Sequence, residues 1–362
     1  MTKLLEVENL HVHYITENEC VQAVNGISFD LEAGETLGLV GETGAGKSTT
    51  ALSIMQLVPD PPGLILDGSI RFKGQDLLQQ SASQHRKLRG EGISMIFQDP
   101  MTALNPIMKV RDQLREVLLT HKKMSKAEAD HRVVDILRQV GVQENRIDEY
   151  PHQFSGGMKQ RVIIAMALLC EPDLLIADEP TTALDVTIQA QVLSLIKELQ
   201  ERYGMSMILI THDLAVVAET SERVAIMYAG QIVEEGSVKD VYNHCRHPYT
   251  HGLFGSTPNI HVETKRLTPI PGMTPNAAKL PSGCPLHPRC KFAQPICQTE
   301  IPPVKCVNRP GEVPHRFRCH FDPLADEAPR FVGEDILSIC RRLYNSKIVA
   351  NTFRFPLVPF ML

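Results

Sequence analysis

The sequence predicts an α/β fold built on a mostly parallel sheet, and three observations carry that expectation. Short β-rich runs at Thr36–Val40, Ile93–Gln98, Leu174–Ala177 and Met207–Thr211 alternate with longer helical patterns over residues 1 to about 250. A glycine-rich loop joins the first of these runs to a helical stretch, as in phosphate-binding βα units. Finally, 43% of the 362 residues are hydrophobic and 22% are charged, which suits a globular chain of two or so domains with a sizeable core.

The same figures exclude several classes. With 37 basic against 42 acidic residues the net charge is −5, which argues against broad attraction to nucleic acid or anionic membrane. The longest apolar stretches, such as Val162 to Cys170, fall well short of the ~20 residues a spanning helix needs. The start, Met1 to Glu8, turns acidic too early for a signal peptide. The expectation is a chain that neither spans a membrane nor is exported, with its nine cysteines kept as thiols or metal ligands.

Taken in order, the strand Thr36–Val40 should lead through the glycine loop into a helix from about Lys47 to Leu57. Ser125-Lys126-Ala127-Glu128 is a capping box, and Val133, Val134, Leu137 and Val140 follow at helical spacing before Gly141 stops the helix. Val192, Leu193, Leu195, Ile196 and Leu199 give a second apolar face, closed by Gly204. Val224–Tyr228 and Gln231–Glu235 flank Ala229-Gly230 as a hairpin. The texture changes after His251, where 13 of the 25 prolines fall between Pro258 and Pro323. Proline at that density breaks regular elements, so the segment should be loop-rich. Residues from 326 to 362 show no clear periodicity and end apolar.

The loop Gly41-Glu42-Thr43-Gly44-Ala45-Gly46-Lys47-Ser48, with Thr49 following, fits G-x-x-x-x-G-K-[ST]. Its glycines let backbone N–H groups turn toward phosphate oxygens, and the helix N-terminus adds partial positive charge. Lys47 would supply a point charge to the β- and γ-phosphates, and the Ser48 hydroxyl would reach Mg²⁺. Leu174 to Glu179 is an apolar strand ending in two carboxylates. There Asp178 would hold Mg²⁺ through water, and Glu179 would orient or deprotonate the attacking water. A second device, Phe154-Ser155-Gly156-Gly157-Met158-Lys159-Gln160-Arg161, places two glycines after a serine at the head of a helix. One chain therefore carries two anion-binding helix N-termini.

At Ser155–Gln160 the sequence resembles the signature of the ATP-binding-cassette ATPases, over about residues 4 to 250. Further positions match that family in order. Tyr14 matches the aromatic that stacks on adenine, Gln98 the Q-loop glutamine that also approaches Mg²⁺, Ala183-Leu184-Asp185 the D-loop, and His212 the switch histidine. The resemblance implies head-to-tail pairing, with ATP held between the phosphate loop of one cassette and Ser155, Gly156, Gly157 and Gln160 of the other. It implies catalytic roles for Glu179, His212, Gln98 and Lys47. The stretch from Lys47 to Ser155 is too short for the coiled-coil insertion of chromosome-type ATPases, there is one cassette, and no membrane domain is fused. What remains is a stand-alone ATPase subunit.

Ile96 to Pro106, Tyr150 to Phe154, His247-Pro248-Tyr249-Thr250 and Ile270-Pro271-Gly272 are similar to the oligopeptide and dipeptide importer ATPases, as is Met124 to Glu128 for the oligopeptide branch. That likeness implies a D-type ATPase subunit on the cytoplasmic face of the membrane. Its partners would be two transmembrane permease subunits, a homologous second ATPase and, indirectly, an extracytoplasmic peptide-binding protein. Nickel and glutathione importers share the architecture. A regulatory, non-transporting ATPase is the reading from another class. A third reading makes the C-terminal segment a binding module for another protein.

Cys284, Cys290, Cys297, Cys306 and Cys319 cluster in the proline-rich segment without a C-x-x-C pair. Spacing alone leaves metal ligands and buried thiols equally open. The resemblance to the importer tail, some members of which carry a cluster there, implies Cys284, Cys290, Cys297 and Cys319 as ligands of a [4Fe–4S] cluster, with Cys306 extra. The expected architecture is thus a P-loop cassette (1–250) with an antiparallel β-subdomain and a helical subdomain (about 99–165). A loop-rich cysteine extension (251–325) and a tail (326–362) complete it.

Overall fold

The computed structural model describes residues 3–99, 103–182, 184–256, 269–308, 311 and 313–325. The chain opens with β1 (Lys3–Ile15) and β2 (Cys20–Glu32), then β3 (Thr36–Val40), α1 (Lys47–Ile54), β4 (Gly63–Phe72) and β5 (Gln75–Asp76). Next come α2 (Ala82–Glu91), β6 (Ile93–Ile96) and three helices, α3 (Val110–His121), α4 (Lys126–Gln139) and α5 (Gly156–Leu168). After them run β7 (Leu174–Asp178), α6 (Val186–Tyr203), β8 (Ser206–Thr211), α7 (Leu214–Thr220), β9 (Arg223–Tyr228) and β10 (Gln231–Ser237). The last elements are α8 (Val238–Asn243), α9 (Pro248–Gly255), α10 (Ile296–Thr299), β11 (Val304–Val307) and β12 (His315–Arg318).

Two sheets result. β2, β1, β4 and β5 form an antiparallel four-stranded sheet in that order, and the remaining strands run β11-β12-β10-β9-β3-β8-β7-β6. The stretch from β9 to β6 is parallel throughout. Its strands are apolar on both faces because both faces are covered. Leu175, Ala177, Met207 and Leu209 face one core, while Leu174, Ile176, Ile208 and Ile210 face the other. Alternate residues of one strand therefore bind two halves of the molecule together.

The predicted helix signals act locally as expected. The Ser125 hydroxyl accepts the Glu128 N–H at 3.3 Å while the Glu128 carboxylate accepts the Ser125 N–H at 2.7 Å. α6 ends on Gly204 at φ 61, a left-handed cap that glycine adopts without a Cβ penalty. The expected hairpin forms, with Gln231 opposite Tyr228. α3, α4 and α5 pack through Leu114, Leu118, Val133, Leu137 and Val162, all fully buried. Two elements end short of expectation. The strand expected over Ile93–Gln98 ends at Ile96, and the helix expected to Leu57 ends at Ile54. Backbone there turns out of the sheet edge, so Gln98 sits in a loop and not at a strand end.

Beyond 269 the chain is mostly turns, as its prolines dictate, yet it closes the large sheet with β12 and β11. A buried carboxylate anchors this addition. Glu234 is fully buried on β10 and accepts the backbone N–H groups of Arg246 (2.6 Å) and His247 (3.0 Å) and a 2.7 Å hydrogen bond with His315 Nε2 of β12. Among the described residues no helix is long and apolar enough to cross a membrane. The tail after 325, Cys340, Pro100 to Thr102 and Ala183 lie outside the described residues.

Candidate nucleotide site

The parallel strands end on one edge, and the site is built there. Val40 pairs with Thr211, Asp178 with Ile210 and Ala177 with Ile96. The loops that follow β3, β6, β7 and β8 therefore emerge side by side, the position where open α/β sheets hold ligands. They enclose a cavity of about 490 Å³, a size that suits a small cofactor. Thr43 to Thr49 line it together with Tyr14, Gln98, Glu179 and His212. The Tyr14 hydroxyl lies 3.4 Å from Thr49 Oγ1, which fixes the ring at one end.

The phosphate loop wraps on itself. Lys47 is 7% exposed, and its Nζ donates to the Gly41 carbonyl at 2.8 Å and the Glu42 carbonyl at 3.1 Å. Burial lowers its pKa, and Glu179, Asp178 and Glu42 partly offset that. Gly46 heads α1 at φ 102, and a Cβ there would lie 2.3 Å from the Ala23 carbonyl oxygen, so only glycine fits. The carboxylate pair is divided by depth. Asp178 ends β7, buried, and burial pushes its pKa up while a hydrogen bond from Ser48 pulls it down. Its Oδ1 has no partner among the described residues. An orphaned carboxylate oxygen beside a serine hydroxyl fits a hydrated Mg²⁺, which would supply the missing positive charge.

Glu179 stands one residue further, at φ 45, a strained backbone for a side chain of this kind. Its N–H donates to the Ile210 carbonyl at 2.8 Å. One carboxylate oxygen accepts from Gln98 Nε2 at 3.1 Å and from the Thr182 hydroxyl at 2.9 Å. The other lies 3.4 Å from His212 Nδ1. The four residues thus form one network at the cavity wall, and three of them were singled out from the sequence. Thr182 was not, since nothing in a lone threonine marks it.

The signature residues lie elsewhere. None of Ser155, Gly156, Gly157 or Gln160 lines the cavity. Ser155 caps α5 by accepting the Met158 N–H at 3.4 Å. A Cβ at Gly157 would meet Ile188 Cγ2 at 2.8 Å, so this glycine seats α5 on α6. Gln160, expected to face a partner's nucleotide, has an internal bond in this chain. It is fully buried and donates to the Pro180 carbonyl at 2.5 Å, tying α5 to the loop that carries Glu179. Asp185 is exposed at the head of α6, with no capping hydrogen bond from its side chain.

Cys284, Cys290, Cys297 and Cys319 line one small apolar pocket with Leu286, Phe292 and Phe321, while Cys306 lies outside it and is exposed. All four are free thiols. Burial raises the Cys284 thiol to about 11 and pushes Cys290 and Cys319 up as well, and neighbouring cysteines raise each further. Among the described residues no group of three or more His, Cys, Asp or Glu side chains is arranged to hold a metal ion. No ready-made four-cysteine metal centre is present among the described residues, and the pocket that the thiols share with apolar side chains has a volume of about 20 Å³. Cys20, Cys170 and Cys245 are also free and lie outside this pocket.

Sequence reasoning missed two residues by which the extension reaches the phosphate loop and the cavity. Arg289 forms a fork with the Glu42 carboxylate at 2.8 and 3.2 Å. Ala277 lines the cavity, and its carbonyl accepts the Gln22 N–H at 2.9 Å. Neither carries a signal in the sequence, because both contacts cross more than two hundred positions of chain.

Comparison with known proteins agrees with this geometry. The ABC transporter family model matches residues 24–182, and the oligopeptide/dipeptide transporter C-terminal region model matches 233–297. The dimeric ATP-binding cassette MJ0796 in its post-hydrolysis state with ADP and Pi superposes with a TM-score of 0.59 at 26% identity, covering 65% of this chain and 98% of that one. The cassette cbiO1 of Clostridium perfringens gives 0.58 at 30% identity, over 67% of this chain and 92% of its own. The dipeptide transport ATP-binding protein DppD of Bacillus subtilis is 54% identical over 83% of this chain and 91% of its own length. The oligopeptide transport ATP-binding protein OppD of the same organism is 51% identical over 99% and 98%. That of Escherichia coli is 49% identical over 89% and 94%. With half its residues shared across almost its whole length, the chain belongs to the oligopeptide and dipeptide transport ATP-binding proteins of the ABC transporter family.

Proposed function

We propose that this chain binds and hydrolyses ATP to drive import of oligopeptides or dipeptides through separate membrane permease subunits. The observation that carries the reading is Glu179, held at the cavity wall by Gln98, Thr182 and His212 and facing the phosphate loop with Lys47. Lys47, now bonded to loop carbonyls, would exchange those bonds for phosphate oxygens. Glu179 would take the proton of the attacking water, with His212 and Gln98 holding its carboxylate in line. Mg²⁺, held through Ser48 and Asp178, would neutralise phosphate charge. The signature end would complete the site of a second, homologous subunit, because it cannot reach its own cavity. On this reading the chain sits peripherally on the cytoplasmic face of the membrane, and the loop after Gln98 moves with nucleotide to switch the permease, whose choice of peptide comes from an extracytoplasmic binding protein. The test is peptide uptake in cells carrying the permease genes with wild-type chain or Glu179→Gln. Unchanged uptake with the variant would sink the proposal, whereas nickel or glutathione uptake lost in its place would move it to another cargo.

A second reading concerns the cysteines. It is favoured by four of the five clustered thiols sharing one pocket while the one without a family match, Cys306, stays out. We infer that Cys284, Cys290, Cys297 and Cys319 bind an iron–sulfur cluster of the [4Fe–4S] type, which requires this small pocket to rearrange around it. Iron, sulfide and zinc analysis of protein purified without oxygen tests it. Zinc alone would replace the cluster with a single ion, and a metal-free protein would leave a packed thiol pocket.

A further inference from the structure

Glu42 is an ordinary acidic residue inside the phosphate loop, yet every polar group it owns is held. Its N–H donates to the Tyr249 hydroxyl at 3.0 Å. Its carbonyl accepts from Lys47 at 3.1 Å and from the Ala45 N–H at 3.1 Å. Its carboxylate receives both arms of Arg289, at 2.8 and 3.2 Å. Arg289 is itself fixed. Its side chain is 5% exposed, its Nε donates to the Pro271 carbonyl at 2.9 Å, and one arm lies 3.4 Å from the Tyr228 hydroxyl. Its own N–H donates to the Leu286 carbonyl at 2.9 Å, inside the turn that carries the cysteine pocket.

A phosphate loop works through the directions of its backbone N–H groups, and the peptide planes around residue 42 set the first of them. A planar fork bound bidentately fixes a carboxylate in position and in rotation, which a lysine would not do. We propose that the C-terminal extension is part of the nucleotide site, with Arg289 acting as a positioning residue that holds the phosphate loop open for ATP through Glu42. The segment containing Ala277 forms a second contact of the extension with the cavity, beside Val21 and Ala23 of β2. This rests on the reading of the cavity as an ATP site and adds a dependence on the extension.

The experiment is equilibrium titration of the full chain with ATP and magnesium by calorimetry, together with steady-state hydrolysis. The variants are Arg289→Ala, Arg289→Lys, Glu42→Gln and the double variant Arg289→Ala with Glu42→Gln. Arg289→Ala should weaken ATP about tenfold and raise KM with little change in kcat, since loop shape sets binding more than chemistry. Arg289→Lys should restore part of the affinity. The double variant should bind no more weakly than Arg289→Ala, because both changes break the same contact. If Arg289→Ala does not fold, Arg289→Lys and Glu42→Gln carry the same comparison. Wild-type affinity in folded Arg289→Ala, or additive losses in the double variant, would overturn the positioning role. A wild-type chain that binds no ATP would remove the nucleotide reading as well, which separates the two failures.

Discussion

Two helix N-termini in this molecule follow glycine-rich turns, and they differ in almost every physical respect. The one after β3 is compensated within the chain. Its lysine bonds to its own loop, its serine bonds to Asp178, and its acidic residue is held by Arg289. The one that begins α5 offers a serine cap and two glycines with no acidic residue in its first turn, and the cation beside it, Arg146, is occupied by Glu149, the Gln153 carbonyl and the Met158 sulfur. On the proposed reading the first is the part of the nucleotide site that one chain assembles by itself, and the second is the part it would lend to a partner. Charge needs a counter-charge when buried, so the charged part of the site must be assembled from distant segments. A half-site stays simple because its partner brings the rest.

The largest effect should come from the carboxylate that acts only on the phosphate-loop side. Glu179→Gln keeps the hydrogen-bonding shape but cannot take a proton, so hydrolysis should fall by roughly 10²–10⁴-fold with ATP binding retained. Phosphate release at saturating ATP checks this, and wild-type turnover would show that another group is the base. Lys47→Ala should act on the other parameter. Removing the point charge should weaken ATP by about tenfold or more in a direct binding assay. Equal affinity in that variant would mean that loop N–H groups suffice and that the contrast between the two ends is overdrawn.

Asp178 gives a smaller effect with a defined pH sign. Burial raises its pKa in the folded, nucleotide-free protein above the unfolded value. A raised carboxylate contributes its stability below the unfolded pKa and loses it as pH rises through the folded one. Asp178→Asn does not ionise. It should therefore melt higher than wild type near neutral pH without nucleotide, and the gain should shrink as pH is lowered toward the ordinary carboxylate range. A lower melting temperature at neutral pH would show that the Ser48 hydrogen bond outweighs the burial cost. The same substitution should lose magnesium-dependent ATP binding, which sets function against stability at one atom.

Much of the site was legible because it is local. The loop from Gly41 to Ser48, the strand ending at Asp178 and the capping box at Ser125 each place their chemistry within a few residues of one another. The strands were legible for a related reason, as runs apolar on both faces leave few alternatives. What could not be read is long-range. Arg289 meets Glu42 and Ala277 meets Gln22 across most of the chain, and their residue types are common in any loop. The bond from Gln160 to the Pro180 carbonyl is equally invisible, because a glutamine near two glycines carries the same pattern whatever it donates to. The short strands β11 and β12 carry no strand signal because proline density around them argues for loop. Glu234 supplies the buried anchor that makes them worth ordering.

The smallest effect belongs to the half-site, and it sharpens the comparison most. Ser155 accepts the Met158 N–H at 3.4 Å, near the long limit for such a bond. Ser155→Ala should therefore cost stability at the low end for a lost cap, about 0.5 kcal/mol. ATP affinity of the isolated chain should not change, since Ser155 lies outside its own cavity. Hydrolysis should fall only under conditions where the two ATPase subunits pair, because only then does this serine meet a phosphate. Plotting activity against protein concentration separates the cases. Wild-type and variant curves should coincide where the subunits are apart and diverge as they associate. A loss already present at the lowest concentration would mean that this end of α5 acts within its own chain, and that the two helix N-termini are not a site and a half-site.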